Sequence, residues 1–304
     1  MKLIPLVIFI SSLLIGTTYS VEIEAVDDSD LVHLITGEDN VIALFTKSNC
    51  ESCDELETIL ENIQDDLKDH LSAIIVKSMN SHMVGIYNPS KEPALVYFRR
   101  GLPLLYHGPI TEDDIMHTFG ENRDPVVKEL SDNNFEHLTQ AATGATTGDW
   151  FVFFYSNDCV ICQRLYAVWE AVGAALKRRL TVARINRSEY GIATAKRFNV
   201  RESPEFLYIR QGKYYRYRLK DYTPKSFIEF AQNIHLQKTK PEAVPPLSSP
   251  MNDFLNDNVK TILDHPQLYS YGIVGIAVAG LTALLCKFLC SKKATKNAEK
   301  KKAK

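Results

Sequence analysis

The feature that most restricts the fold is an internal repeat built around two C-x-x-C motifs. Cys50-Glu51-Ser52-Cys53 follows the apolar run Val41–Phe45, and Cys159-Val160-Ile161-Cys162 follows Trp150–Tyr155. Counting on from the first cysteine of each pair, a proline stands 43 residues later in one copy (Pro93) and 45 later in the other (Pro204). Each proline precedes a β-rich run, Ala94–Phe98 or Glu205–Ile209, and eight residues after each proline comes a glycine, Gly101 or Gly212. A glycine between two strand-like runs is what a tight hairpin needs. Matching order and nearly matching offsets restrict the middle of the chain to two tandem units of one topology.

The pattern inside each unit alternates strand and helix. Glu22–Val26 and Val126–Leu130 read as opening strands, with Ser29 and Ser131 as helix N-caps ahead of helical apolar spacing. Each C-x-x-C opens a long helix, clearest in the second unit, where Leu165, Val168, Trp169, Val172 and Leu176 share a face. Ala73–Val76 and Leu180–Ile185 follow as strands, and Thr111 and Thr223 cap closing helices. The order is βαβαβαββα, an α/β class. Beyond the second unit, Pro241, Pro245, Pro246 and Pro250 mark a linker.

The two ends read as targeting and anchoring segments. Met1-Lys2, an apolar run from Leu3 and the exit Thr17-Thr18-Tyr19-Ser20 have the order of a secretory signal peptide cut after Ser20. Residues 269–290 include Gly272–Leu285 without a charge, so with its flanks the stretch is expected to span a bilayer, Tyr269 and Tyr271 marking one interface and Lys287 the other. Eight lysines and one glutamate follow residue 286, which places the tail in the cytosol and the middle in the lumen. The end Lys301-Lys302-Ala303-Lys304 resembles a dilysine retrieval signal of endoplasmic reticulum membrane proteins, which implies cytosolic retrieval machinery as a partner; Cys286 and Cys290 lie where palmitoylation is possible. With 35 basic and 37 acidic residues overall, net charge gives no reason to expect nucleic acid as a partner.

On the C-x-x-C, the later proline and the following glycine in that order, each unit resembles a thioredoxin domain. The whole chain is similar to transmembrane members of the protein disulfide isomerase family. The expected fold class is therefore α/β, two tandem thioredoxin-like domains followed by one transmembrane helix. The boundaries are 1–20 signal peptide, 21–123 first domain, 124–236 second domain, 237–268 linker and juxtamembrane segment, 269–290 span and 291–304 tail. The competing use of two C-x-x-C pairs is a four-thiolate zinc site. The strand before and helix after each pair, and an oxidising lumen, favour disulfides instead, with no metal.

A cysteine at a helix N-terminus meets free N–H groups and the positive end of the helix dipole, which favours thiolate. Cys50 and Cys159 are the candidate nucleophiles, and Cys53 and Cys162 the candidate resolving thiols. The resemblance implies that Pro93 and Pro204 are cis, and that the backbone of Glu92 and Ser203 pairs with a substrate strand. It also exposes departures. The family's tryptophan before the first cysteine is replaced by Asn49 and Asp158, and its buried acid six residues before that cysteine by Leu44 and Phe153. Glu51 and Asp54 oppose a thiolate at Cys50, whereas Val160 and Ile161 add no charge, and beside Cys159 Asp158 opposes the thiolate while Arg164 supports it, making the second unit the better candidate for catalysis. Asn186-Arg187-Ser188 is a glycosylation sequon expected at an exposed strand exit. The reading that follows is a membrane-tethered oxidoreductase or isomerase acting without a cofactor on lumenal proteins with thiols or disulfides. The alternative is a redox-inert module that holds partner proteins.

Overall fold

A computed structural model describes residues 22–88, 92–144, 147–234 and 240–247. Met1–Pro245 falls into one compact unit and Pro246–Lys304 into another, of which only Pro246 and Leu247 are described. In the first half the elements are β1 (Glu24–Ala25), α1 (Asp28–Gly37), β2 (Asn40–Thr46), α2 (Glu51–Leu71), β3 (Ile74–Met79), α3 (Val84–Tyr87), β4 (Ala94–Arg99), β5 (Leu102–Leu105) and α4 (Glu112–Glu121). The sheet order is β1-β3-β2-β4-β5, with β1, β3 and β2 parallel and β4 and β5 antiparallel. The second half has β6 (Lys128–Leu130), α5 (Phe135–Thr139), β7 (Trp150–Tyr155), α6 (Val160–Arg164), α7 (Tyr166–Leu176), β8 (Thr181–Asn186), α8 (Ile192–Arg197), β9 (Glu205–Arg210), β10 (Lys213–Arg216), α9 (Pro224–Gln232) and β11 (Glu242–Ala243). Its order, β11-β10-β9-β7-β8-β6, repeats the first sheet strand for strand with β11 added at one edge.

Central strands buried on both faces need continuous apolar runs rather than alternation, and Val41–Phe45 and Phe151–Phe154 supply them, every side chain at 0% exposure. Helix α2 lays Leu56, Leu60, Ile63, Leu67 and Leu71 on its sheet. The second core is aromatic. Trp169 lies among Phe151, Phe153, Phe206 and Phe227, and its indole N–H, which burial obliges to find an acceptor, donates to Ala183 O at 2.9 Å. Both hairpins turn on two residues at positive φ, Arg100-Gly101 and Gln211-Gly212, the left-handed pair that matches strand twist.

The two halves share a core. Helix α7 packs against its own sheet and also against β5, the edge strand of the first sheet. Ala167 and Ala171 keep the buried helix narrow, and Gly173 lets the connecting segment approach it, since a Cβ there would stand 3.1 Å from Val127 Cγ2. Inside this contact Arg99 Nη2 donates to Glu170 Oε2 at 3.0 Å, the two side chains being 1% and 2% exposed. The same carboxylate oxygen accepts the Val126 N–H, and Arg99 Nη1 reaches the Asn122 and Asp124 carbonyls. A buried ion pair thus ties together the first sheet, the connecting segment and the helix behind the second C-x-x-C.

Several expectations are corrected. Asp27, not Ser29, caps α1, its carboxylate accepting the Ser29 and Asp30 N–H groups. Asn134, not Ser131, stands at the N-cap of α5. Thr111 and Thr223 do cap α4 and α9. The second long helix is broken at Leu165 into α6 and α7. Part of the stretch read as linker is β11, held on β10 by backbone pairing, with Glu242 accepting from Tyr214 and Arg216. The transmembrane helix does not stand as part of the fold class. Among the described residues no helix is long and apolar enough to cross a membrane, and the longest, α2, has 21 residues but carries Glu51, Asp54, Glu55, Glu57, Glu61, Asp65, Asp66, Lys68 and Asp69. The segments 1–20 and 269–290, with Cys286, Cys290, Lys301 and Lys302, lie outside the described residues.

Candidate active site

Strands β2 and β7 run to the C-terminal edges of their sheets, and a short loop carries each chain onto its helix with the first cysteine at the N-cap. Cys50 precedes α2 and Cys159 precedes α6. Both pairs are closed as disulfides, Cys50–Cys53 and Cys159–Cys162, each with 5.2 Å between Cα atoms. The inner cysteines are sealed, Cys53 at 1% and Cys162 at 0% exposure; of the outer ones Cys50 is 8% exposed and Cys159 half-buried. The Cys162 N–H donates to Cys159 Sγ at 3.1 Å, so a free helix-start N–H does face the outer sulfur. At the first pair the sulfur's partner is a hydroxyl, Ser52 Oγ at 3.4 Å.

The Glu92-Pro93 and Ser203-Pro204 bonds are both cis. Register places them: Ala94, next after Pro93, pairs with Phe45 near the end of β2, and Glu205, next after Pro204, pairs with Phe154 near the end of β7. Each proline therefore enters the strand beside the one that leads to its disulfide. Around the second pair Val160 and Ile161 are 60% and 51% exposed, and α3 of the first half packs against α6. The sulfur pairing is within each motif, at the start of α2 and of α6 in separate halves. Among the described residues no group of three or more His, Cys, Asp or Glu could hold a metal ion.

Beneath each disulfide lies a polar feature that the motifs did not announce. Leu44 and Phe153 are fully buried, and their register partners on the neighbouring parallel strand are Lys77 and Arg184. Lys77 Nζ lies 2.7 Å from Glu57 and 3.0 Å from Glu22. Burial pulls its ammonium down, but the hydrogen bonds to Glu57 and Glu22 outweigh this and hold its pKa above the ordinary lysine value. Arg184 Nε lies 2.6 Å from Glu129 and its guanidinium 4.6 Å from the Tyr166 ring centre. Tyr155, raised first by burial and then by its hydrogen bond to Glu129, stays a phenol. Glu57 and Tyr166 each stand four residues after an inner cysteine, one helical turn on, so a carboxylate in one half is replaced by a stacked phenol in the other. A lone cation in each of two buried strands, Ile-Ile-Val-Lys77 and Val-Ala-Arg184, was the signal in the sequence.

One site residue is not where the sequence suggested. Asn186 is 3% exposed; its Nδ2 donates to Asn157 Oδ1 and its Oδ1 accepts the Ser188 N–H. The nitrogen a glycan needs is committed inside the fold, so the exposed sequon expected there is corrected.

Residues 126–233 match the thioredoxin family model. The match falls on the second half of the chain, which has a thioredoxin-like fold. The first half repeats that domain's strand order around its own C-x-x-C, so the fold as a whole is mixed α/β and thioredoxin-like. A thioredoxin domain-containing protein of Theileria parva is 41% identical over 102 residues, covering 34% of this chain and 46% of the relative. Protein disulfide-isomerase A4 of Mus musculus is 23% identical over 205 residues, 63% of this chain and 31% of that protein. Among solved structures, the zinc-bound form of human ERp44 is 15% identical with a TM-score of 0.34, covering 70% of this chain and 57% of that one. The chain spans less than half the length of these curated relatives. The matched segment carries Cys159, Cys162 and Pro204, the residues on which the chemistry below rests.

Proposed function

We propose that the protein is a thiol–disulfide oxidoreductase of the protein disulfide isomerase type, acting in the endoplasmic reticulum lumen on proteins with thiols or disulfides, with Cys159 as nucleophile and Cys162 as resolving thiol. One observation carries this reading: a disulfide at a helix start, its outer sulfur half-buried and its inner sulfur sealed, beside a strand entered through a cis proline. In the reducing direction the Cys159 thiolate attacks a client disulfide, a Cys159–client S–S bond forms, and the client's other sulfur leaves as thiolate. The Cys162 thiolate then attacks Cys159 Sγ, the mixed bond breaks, the client leaves reduced and the internal disulfide closes. The Cys50–Cys53 pair takes the lesser part because Cys50 is nearly covered and faces Glu51 and Asp54. The endoplasmic reticulum is proposed on the likeness to protein disulfide-isomerase A4.

The buried apolar side chains of Leu44 and Phe153 favour a second reading, a weakly active module that holds client proteins, because no carboxylate occupies either position to take up the inner thiol's proton. Trapping with Cys162→Ala distinguishes the two. Client adducts on non-reducing gels that vanish when Cys159 is also replaced support the enzyme. Binding that survives loss of all four cysteines, without adducts, supports the holding module.

A further inference from the structure

Strands β3 and β8 leave their sheets in the same way, which makes the next residues comparable. The Asn80 N–H donates to Thr46 O and the Arg187 N–H to Tyr155 O, each at 2.8 Å, and Thr46 and Tyr155 each stand four residues before an outer cysteine. Asn80 and Arg187 are thus counterparts, one neutral and one cationic. Asn80 Nδ2 reaches only as far as Ser48 Oγ, at 3.5 Å. Arg187 Nε instead donates to Ser203 Oγ at 2.8 Å, on the residue whose peptide bond to Pro204 is cis. The loop before Cys159 is tied to the same strand exit by Asn157, whose Nδ2 donates to Glu189 and whose Oδ1 accepts from Asn186 Nδ2, and Asp158 stands in that loop immediately before Cys159. The Asp158 carboxyl is held below the ordinary range by its hydrogen bonds to Ser156 and its own backbone, with Arg187 adding to the effect.

We propose that Arg187 is the positioning residue of the second C-x-x-C: its guanidinium anchors the cis-proline loop to the strand exit that Asn157 ties to the loop before Cys159, and its charge offsets Asp158 so that reduced Cys159 can hold its thiolate. This rests on the oxidoreductase reading and deepens it, because it assigns the asymmetry between the two pairs to a residue outside both motifs. The charges around Cys159 make the offset matter. Its own loop brings Asp158 and α6 brings Arg164; the β8 exit brings Arg187 and Glu189, and the cis-proline loop Arg201 and Glu202. From α7 come Tyr166 and the buried Glu170, while α3 adds no charge, since burial raises the Tyr87 pKa and keeps it a phenol. His82 stands just ahead of α3. Arg187 is the cation among these that is anchored by a hydrogen bond to the wall a client strand would line. The anchoring also holds the Ser203 side chain, so in this reading one guanidinium serves both the nucleophile and the loop against which a client strand would lie.

The test is site-resolved alkylation of the reduced full-length chain across pH, read by peptide mass, with Cys50 as an internal control. Arg187→Gln should move the Cys159 midpoint upward and leave Cys50 unchanged. A shift of one pKa unit cuts the thiolate tenfold below the midpoint, but the more basic thiolate is also more nucleophilic, so the rate near pH 7 should fall about threefold. Arg187→Lys should restore most of the rate. Ser203→Ala, which keeps the charge and frees its anchor, should move Cys159 in the same direction as Arg187→Gln. A Cys159 midpoint that stays in place in Arg187→Gln and Ser203→Ala overturns the proposal, and so does an equal shift at Cys50. Absence of client adducts with Cys162→Ala counts against thiol exchange with proteins and leaves the alkylation result to be read separately.

Discussion

Replacing Glu170 by alanine should destabilise the protein far more than removal of a surface charge, because it leaves a guanidinium stranded in the contact between the two halves. Arg99 is 1% exposed, its Nε already lacks a partner, and Glu170 is the carboxylate that Nη2 meets. The Val126 N–H loses its acceptor in the same step. Breaking one side of a buried pair costs about 3–5 kcal/mol, and in a unit of this size each kcal/mol moves Tm by about 2–4 °C, so Tm should fall by roughly 6–20 °C. Arg100→Gln breaks the Arg100–Asp124 pair nearby, whose side chains are 64% and 85% exposed, and should cost less than about 1 kcal/mol. Urea titration followed by tryptophan fluorescence measures both, since Trp169 is one residue from Glu170. The double variant Arg99→Met/Glu170→Leu, which removes both charges and fills the space, should regain most of the loss. If Glu170→Ala costs no more than Arg100→Gln, or the double variant is as unstable as the single, the pair is not what holds this contact.

Reduced Cys159 should be alkylated faster than Cys50 near neutral pH, and Glu51→Gln should speed Cys50; if that change leaves Cys50 as it was, burial rather than charge limits it. Lys77 should make stability fall in alkali. Its folded pKa lies above the ordinary lysine value, so its contribution is complete below that ordinary value and is lost as pH rises through the folded one. Lys77→Met should flatten the alkaline decline, and an unchanged slope would show that the titration of Lys77 does not cause it. Asn186 should carry no glycan in the folded protein, which the mass of its proteolytic peptide reads directly; a hexosamine-bearing peptide would mean that Nδ2 is free of Asn157.

Much of this fold could be read from the sequence because the chain repeats itself. Apolar runs before each C-x-x-C, a glycine eight residues after each proline, and threonines at two helix starts are local signals, and local signals survive in a linear text. The cap of α1 went to Asp27 because a carboxylate two residues upstream of Ser29 reaches two N–H groups at once. The break at Leu165 was hidden by apolar spacing that runs unbroken across it. Lys77, Arg184 and Arg187 could have been found by aligning the two copies beyond the cysteines and asking where a cation stands in a buried strand or at its exit. What they contact could not, since Glu57, Glu129 and Ser203 come from other elements 16 to 55 residues away.

Helix α7 has almost no face left for water: from Ala167 to Gly173 every residue is buried, between its own sheet and the edge of the other. Its counterpart α2 keeps an acidic outer face. The two copies have therefore ceased to be interchangeable, and the history of the duplication is written in which helix was allowed to stay soluble. A version of the second half expressed alone would present Ala167, Ala171 and a Glu170 without Arg99 to solvent. Drift in α7 is confined to small side chains, whereas α2 is free to vary on its outer turns, so in distant relatives of this architecture the helix behind the second disulfide should be the more slowly changing of the two.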